Sequence, residues 1–401
     1  MAVQEYPITS SLRQSLETAL DAGQGILHML PCWVPRTFAV PGRRLRLAEQ
    51  DLYALGDERG GLDERWLCST TNPANGPDMP ADEGLSYVLA PDGSRFTLRD
   101  AVDELPNRVI GEKIYQTYKR WPTLGKLFDN QGPLPYHLHP MKQHAALVGE
   151  AHKPEAYYFP PQYNPRLNDF PYTFFGLEPG TTKDDIRRCL EKWGTGDNGI
   201  LDYSKAYVFP IGTGWFTPPG VLHAPGSLVT YEIQWGTDTF AMFSRTCRGK
   251  IVPFDMLVKD VPADKKGDLD YVISLIDWEA NVNPNLRDTH FLPGKIDAQG
   301  EGWEDKWIIY GKSLGEDVFS AKQLTVQPGF SVTITDPGAC GVLAVQGRGK
   351  LGTYHVETPT YMRFGEVTFD EYFVTHEAAR AEYTVVNDGI EPLVLLRAWT
   401  G

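Results

Sequence analysis

Cysteines are scarce in this sequence, and their spacing does not pair them. The 401 residues include five, at positions 32, 68, 189, 247 and 340, and no two of them form a Cys-x-x-Cys pair. Small disulfide-stabilised domains carry an even number of cysteines at close, regular spacings. We therefore expect five reduced thiols and no disulfide framework.

Long apolar runs and an excess of positive charge are also lacking. No stretch reaches the roughly 18 apolar residues of a membrane span, and the first 23 residues lack the basic and apolar parts of a secretion signal. The net charge is -14, from 38 Lys and Arg against 52 Asp and Glu, and such a surface repels phosphate backbones. These absences favour a cytoplasmic protein with a small-molecule partner, and disfavour nucleic acid or membrane as partners.

The composition is typical of a protein rich in strands and turns. It includes 39 Gly and 31 Pro, and 41% of the residues are hydrophobic. Brief runs of alternating apolar and polar residues, broken by Gly and Pro, predict a mainly β fold. Residues 10–23 and about 180–195 instead have apolar residues at helical spacing, with Ser or Thr as caps, so they predict helices.

The alternation of apolar and polar residues is lost and regained once along the chain, which predicts two domains. Residues 1–255 would form the N-terminal elements and a metal-binding β-barrel, interrupted by the helix at 180–195. Residues 256–311, richer in Pro, Lys and Asp, predict a connector. Residues 312–401 predict a second, metal-free β-barrel, in which 341–352, GVLAVQGRGKLG, has the pattern of a hairpin.

One segment concentrates residues that bind metals. In PYHLHP, a strand would place His137 and His139 on the same face, because side chains alternate between faces along a strand. Glu155 begins the strand-like run EAYYF, and His223 follows a Pro-Pro-Gly turn. Three imidazoles and one carboxylate suit Zn²⁺, and also Mn²⁺, Fe²⁺ or another divalent ion.

Several longer segments resemble type I phosphomannose isomerase, a zinc-dependent family of the cupin superfamily. They are ERWLCST at 64–70, the stretch 110–140 that ends in PYHLHP, HKPE at 152–155, and PPGVLHAPGSLVTYEIQWGTDTF at 218–240. The resemblance implies two cupin-like β-barrels, or jelly rolls, with a few inserted helices. It assigns the metal to His137, His139, Glu155 and His223, and the sugar site to Lys126, Lys153, Glu232 and Asp238.

The sequence departs from that family at two positions. His137 stands where the family usually has glutamine, a change that keeps a competent ligand. Met242 stands where the family has an arginine implicated in catalysis, four residues after the aspartate. Lys153 or a repositioned Arg245 would take its electrostatic role, although a continuing strand would turn Arg245 to the opposite face from position 242.

These residues predict a metal-dependent aldose–ketose isomerase acting on a sugar or sugar phosphate. Glu232, in the apolar strand YEIQW, and Lys153 are the residues expected to handle protons. Because of Met242, we expect only weak activity on mannose 6-phosphate. Two alternatives stay open: a cupin iron dioxygenase, and a catalytically silent sugar-binding regulator. The oligomeric state cannot be predicted.

Overall fold

A computed structural model describes residues 11–164, 170–311 and 318–401, and in it four larger β-sheets are stacked in layers. The predicted mainly β class is confirmed. Within the described residues each jelly-roll-like half consists of two facing sheets, and no sheet closes on itself as a barrel.

The first two layers hold most of the N-terminal half. In the order in which the strands pair, the first sheet contains Ser204–Val208, Tyr172–Leu177, His223–Ala224, His137–Leu138 and Ala241–Met242. The second contains Phe291–Leu292, Gly214–Thr217, Glu155–Tyr158, Thr230–Trp235, Thr123–Phe128, Gly61–Leu67 and Cys32–Arg36.

The third and fourth layers hold mostly C-terminal strands. The third sheet contains Ile26–His28, Glu371–Val374, Cys340–Gln346, Leu393–Thr400, Phe319–Val326, Trp303–Tyr310 and Lys295–Gly300. The fourth contains Ser331–Ile334, Tyr383–Val386, Arg348–Leu351 and Tyr354–Glu357. Two small ribbons pair Tyr87–Leu89 with Arg95–Thr97 and Thr246–Cys247 with Lys250–Ile251.

The alternation of side chains explains why the sheets stack. From the second sheet, Leu127 and Ile233 pack with Phe319 and Leu396 of the third sheet. The neighbouring residue Phe128 instead packs in the cluster that reaches the first sheet. The second sheet therefore supplies one face to the core between the two halves and the other face to the interior of the N-terminal half.

The helices are short and lie between the strands. The helix predicted at 10–23 is Leu12–Ala22, capped by Ser11, while Ser10 lies outside the described residues. The helix predicted at 180–195 is Lys183–Glu191, with a capping box formed by Thr182 and Asp185. The others are Leu98–Glu104, Pro106–Val109, Glu112–Tyr118, Lys142–Ala145, Phe254–Leu257, Leu269–Ser274, Trp278–Asn281, Leu286–His290 and His376–Ala381.

The segment predicted as a connector contains regular structure. Its helices between 254 and 282 pack beside the first sheet, and its strands Lys295–Gly300 and Trp303–Tyr310 pair within the third. The domain limits at 255 and 312 stay predictions, and residues 312–317 lie outside the described part. The hairpin predicted at 341–352 is wrong: Cys340–Gln346 belongs to the third sheet and Arg348–Leu351 to the fourth.

The five cysteines are all buried and free of disulfides, as the spacing predicted. Across the described ranges, no helix is both long enough and apolar enough to cross a membrane.

Candidate metal centre

Strand pairing in the first sheet brings the three predicted histidines together. His223 pairs directly with His137, and His139 follows two residues later on the same face. One ring nitrogen from each histidine lies within 4.8 Å of the others, and all three side chains are buried. The predicted His-x-His face and the distant third histidine therefore meet at one point.

The three imidazoles share one tautomer that suits metal binding. Their Nδ1 atoms lie 2.7 Å from the Pro135 carbonyl, 2.7 Å from the Thr239 carbonyl and 2.9 Å from the Val221 carbonyl for His137, His139 and His223 respectively. A carbonyl only accepts hydrogen bonds, so each Nδ1 carries the proton and each Nε2 presents a lone pair. In His139 this lone pair also accepts a hydrogen bond from Lys153 Nζ at 3.3 Å.

Burial keeps two of these imidazoles neutral. It lowers the pKa of His137 well below the usual histidine value, and the neighbouring His223 adds to this effect. It lowers the pKa of His139 to about 4, helped by the positive charge of Lys153. Neutral imidazole is the form that binds a metal ion.

Glu155 supplies the carboxylate next to these lone pairs. Its Oε2 lies 2.9 Å from His139 Nε2, and its Oε1 lies 2.9 Å from His223 Nε2. In this tautomer all four atoms are acceptors, and His223 Nε2 is a buried atom without a hydrogen bond. A cation resolves this conflict because it binds lone pairs from both sides, so the residues fit a divalent metal ion.

Glu155 itself is held in its ionised form. Burial alone would raise its pKa, but the positive charge of Lys153 outweighs burial and holds the pKa well below the usual value. Lys153 Nζ lies 3.1 Å from Glu155 Oε2. Tyr157, two residues further along the same strand, donates a hydrogen bond to Glu155 Oε1.

Glu232 lies between two lysines beside this centre. Its Oε1 is 3.7 Å from Lys153 Nζ and 3.7 Å from Lys126 Nζ, and it accepts no hydrogen bond. Burial raises the pKa of Glu232 to about 7, with a further contribution from the charge of Glu155. A carboxyl group with this pKa can both accept and donate a proton near neutral pH.

Asp238 lies at the other end of a continuous series of charges. Arg36 Nη1 is 3.1 Å from Asp238 Oδ2, and Arg36 Nε is 3.0 Å from Glu64 Oε1. Lys126 Nζ completes the series at 3.8 Å from Glu64 Oε2. Burial alone would raise the pKa of Asp238, but Arg36 and the two lysines hold it well below the usual value.

Sequence reasoning missed Arg36, Glu64 and Tyr157. Arg36 ends the otherwise apolar strand CWVPR, and Glu64 lies between two other charged residues in GLDERWL; charged residues in such strands are a signal of buried ion pairs. Tyr157 follows Glu155 by two residues and therefore shares its face of the strand. These patterns can be read from the sequence, but none of them identifies the residue with which the side chain interacts.

Arg245 is not brought into the site. Its Nε lies 2.6 Å from the Trp193 carbonyl and its Nη1 2.7 Å from the Val252 carbonyl. The strand containing Met242 ends at that residue, and the chain turns away from the site before Arg245. Met242 itself is buried and lies beside His137 in the first sheet.

The assembled residues line one cavity of about 490 Å³, mouth included. Its lining includes the predicted residues His137, His139, Glu155, Lys126, Lys153, Glu232 and Asp238, the three missed residues, and Met242. His223 lies behind this wall, with its ring centroid 4.2 Å from that of His137.

Comparisons with known proteins support the fold. No protein-family model and no curated protein sequence matches this chain significantly. Among solved structures, the mannose 6-phosphate isomerase of Bacillus subtilis is 16% identical, with a TM-score of 0.57, over 94% of this chain and 99% of that one. A variant of the phosphomannose isomerase of Salmonella typhimurium is 12% identical, with a TM-score of 0.59, over the same shares of the two chains.

A zinc-bound mannose 6-phosphate isomerase is also similar, at 12% identity and a TM-score of 0.60, over 94% of this chain and 99% of that one. At this level of identity the likeness shows the fold alone. The type I phosphomannose isomerase-like cupin fold implied by the sequence is thus confirmed.

Proposed function

We propose that the protein is a zinc-dependent aldose–ketose isomerase that acts on a sugar or sugar phosphate. One observation carries the proposal: Glu232, a buried carboxyl group whose pKa burial raises to about 7, lines the same cavity as His137, His139 and Glu155. The zinc-bound neighbour of the same fold supports the choice of metal.

The reaction needs a proton to move between two adjacent carbons. A divalent ion held by His137, His139, Glu155 and His223 would act as a Lewis acid for the sugar's carbonyl and hydroxyl oxygens. Glu232 would remove the proton from C2 and return it to C1, while the hydroxyl proton of O2 moves to O1, so that no other reactant is required.

The lysines would control charge around this transfer. Lys153 contacts both Glu155 and Glu232, and Lys126 contacts Glu232 from the other side. Both can stabilise the negative charge that develops on the sugar oxygens when C2 loses its proton. Asp238, fixed by Arg36, would accept a hydrogen bond from a sugar hydroxyl.

The test is exchange of the C2 proton with solvent deuterium, followed by NMR for a panel of free and phosphorylated aldoses. Zinc-loaded protein should exchange at least one of them, and Glu232→Gln should reduce the rate by roughly 10²–10⁴-fold while retaining the metal. Glu357→Gln, at an exposed position, is the matched control and should leave the rate unchanged.

The two alternatives give different results in the same assay. Tight sugar binding without exchange would favour the silent regulator. Activity that requires Fe²⁺ and consumes oxygen would favour the dioxygenase.

A further inference from the structure

The wall of the cavity is divided into a charged part and an apolar part. The charged part surrounds the metal centre and contains the lysines, Arg36 and their carboxylate partners. The apolar part consists of Phe38, Phe128, Leu134, Pro135, Phe240 and Met242. Of these, Phe38 and Leu134 are only half-buried and belong to the opening of the cavity.

Each cation in the lining is already matched by carboxylates. Arg36 contacts Glu64 and Asp238, as described above, and its Nη1 also donates to Asn75 Oδ1 at 3.0 Å. Lys126 and Lys153 are likewise each shared between two carboxylates. The lining has three cations and four carboxylates, so its net charge is -1 when all are ionised, and a divalent metal ion would bring it to +1.

Three cations near the apolar part of the wall are committed elsewhere, and Arg248, which lies against Gly132, is exposed on the surface. Arg245 binds two carbonyl groups, and Lys250 Nζ lies 2.8 Å from the Thr37 carbonyl. Lys259 Nζ lies 2.7 Å from Asp260 Oδ2.

A separate cleft contains Arg99 and Arg120, but Asp238 lines both cavities and stands between them. On that side a phosphate group in the cavity would meet a carboxylate before it met either arginine.

We propose, on the basis of the isomerase function above, that the substrate is an unphosphorylated aldose whose end remote from the carbonyl group is apolar, such as a 6-deoxyhexose. One positive charge remains in the metal-loaded cavity, which matches the single negative charge that develops on the sugar oxygens during isomerisation. A phosphate dianion would add two more negative charges against apolar walls, where its lost hydration is not replaced. A methyl group and the C–H faces of a sugar bury favourably against the same aromatic side chains.

The test is calorimetric titration of zinc-loaded protein with mannose, 6-deoxymannose and mannose 6-phosphate. We expect 6-deoxymannose to bind at least as tightly as mannose, and mannose 6-phosphate to bind at least tenfold more weakly. Equal or tighter binding of the phosphate ester would overturn the proposal, and so would failure of both uncharged sugars to bind at millimolar concentration. Because this experiment measures binding, the two proposals can fail separately. If the protein prefers the uncharged sugars but isomerises none of them, only the proposed isomerase function is contradicted.

Met242→Arg tests the apolar wall directly. It places a cation in the cavity, so the Kd for mannose 6-phosphate relative to mannose should fall at least tenfold, whereas Met242→Leu should leave the ratio unchanged. Metal content and Tm show whether each variant is folded. If the wild-type protein prefers the phosphate ester and Lys250→Gln or Arg120→Gln removes that preference, the proposal is wrong and the phosphate binds at the opening or in the neighbouring cleft.

Discussion

The interiors of the two halves both contain buried charges, but they differ in whether those charges are satisfied. In the C-terminal half, Arg397 is fully buried, with Nη1 2.6 Å from Asp336 Oδ1 and Nη2 2.6 Å from Asp305 Oδ1. Lys322 also contacts Asp305, and Tyr383 donates to Asp336. Only Arg397 Nε lacks a partner in this group.

In the N-terminal half, acceptors face one another around the three histidines, and atoms of His223 and Glu232 lack hydrogen bonds. Buried polar atoms cost free energy unless they are paired, so such conflicts persist only where something else compensates them. The comparison teaches that buried charge alone does not mark a site. Here the unsatisfied acceptor of Glu232 lines a cavity and that of His223 lies directly behind its wall, whereas the Arg397 network closes on itself and is structural.

The largest expected effect is loss of the metal ion from the interior of the N-terminal half. Wild-type protein should contain about one divalent ion per chain, and His139→Ala combined with His223→Ala should contain essentially none, because half of the ligands are removed. Elemental analysis measures this. His355→Ala, at an exposed position in the C-terminal half, should keep full occupancy. Full occupancy in the double variant would contradict the ligand assignment.

Disruption of the Arg397 network in the C-terminal half should lower the stability of the protein without changing its metal content. Arg397→Met removes the cation shared by two buried carboxylates and leaves Asp305 with Lys322 and Asp336 with the hydrogen bond from Tyr383, which should cost about 3–5 kcal/mol in the free energy of unfolding. Denaturant unfolding measures the loss of stability, and elemental analysis checks that the metal content is unchanged. Arg363→Met, at the half-exposed pair with Asp51, should lower the free energy of unfolding much less. A loss of metal in Arg397→Met would show that the two interiors are coupled.

A smaller effect is expected where a side chain supports a ligand. Tyr157→Phe removes the hydrogen bond to Glu155 and should weaken metal affinity about 10–100-fold, as measured by chelator competition. Tyr158→Phe is the neighbouring control: its hydroxyl points to the opposite face and donates to Gln323 Oε1 at 2.7 Å. If both variants lose affinity equally, Tyr157 has no specific role at the metal.

The smallest expected effect is the pH dependence of deuterium exchange. Because burial raises the pKa of Glu232 to about 7, its base form is lost as pH falls through that value, and the rate should then drop about tenfold per pH unit. A bound cation can only lower this midpoint. Burial raises the pKa of Glu371 to about 7 as well, but Glu371 lies outside the cavity beside Arg65. Glu371→Gln should therefore leave the pH midpoint of exchange unchanged, and a shifted midpoint would contradict its assignment to Glu232.

Local pattern was enough to single out the three histidines that the structure brings together, but not their surroundings. His137 and His139 share a face by the period of a strand, Glu155 begins a strand-like run, and His223 follows a Pro-Pro-Gly turn. Arg36 and Asp238 are about 200 residues apart, and no local pattern pairs them. The same limit explains the hairpin error. A turn at Gly347, with φ of +80°, looks alike in the sequence whether the chain re-enters the same sheet or crosses to the next one.

The pairing of Leu27 with Phe373 in the third sheet has a consequence for synthesis of the protein. The strand Ile26–His28 leaves the ribosome roughly 345 residues before its partner, which at ~5–20 residues per second is a delay of about 17–70 s. During that time the strand lacks the partner with which it pairs, and only the N-terminal members of its core cluster, such as Leu16 and Val88, are present. Completion of the third sheet, and with it the core shared by both halves, must therefore follow translation of the last thirty residues.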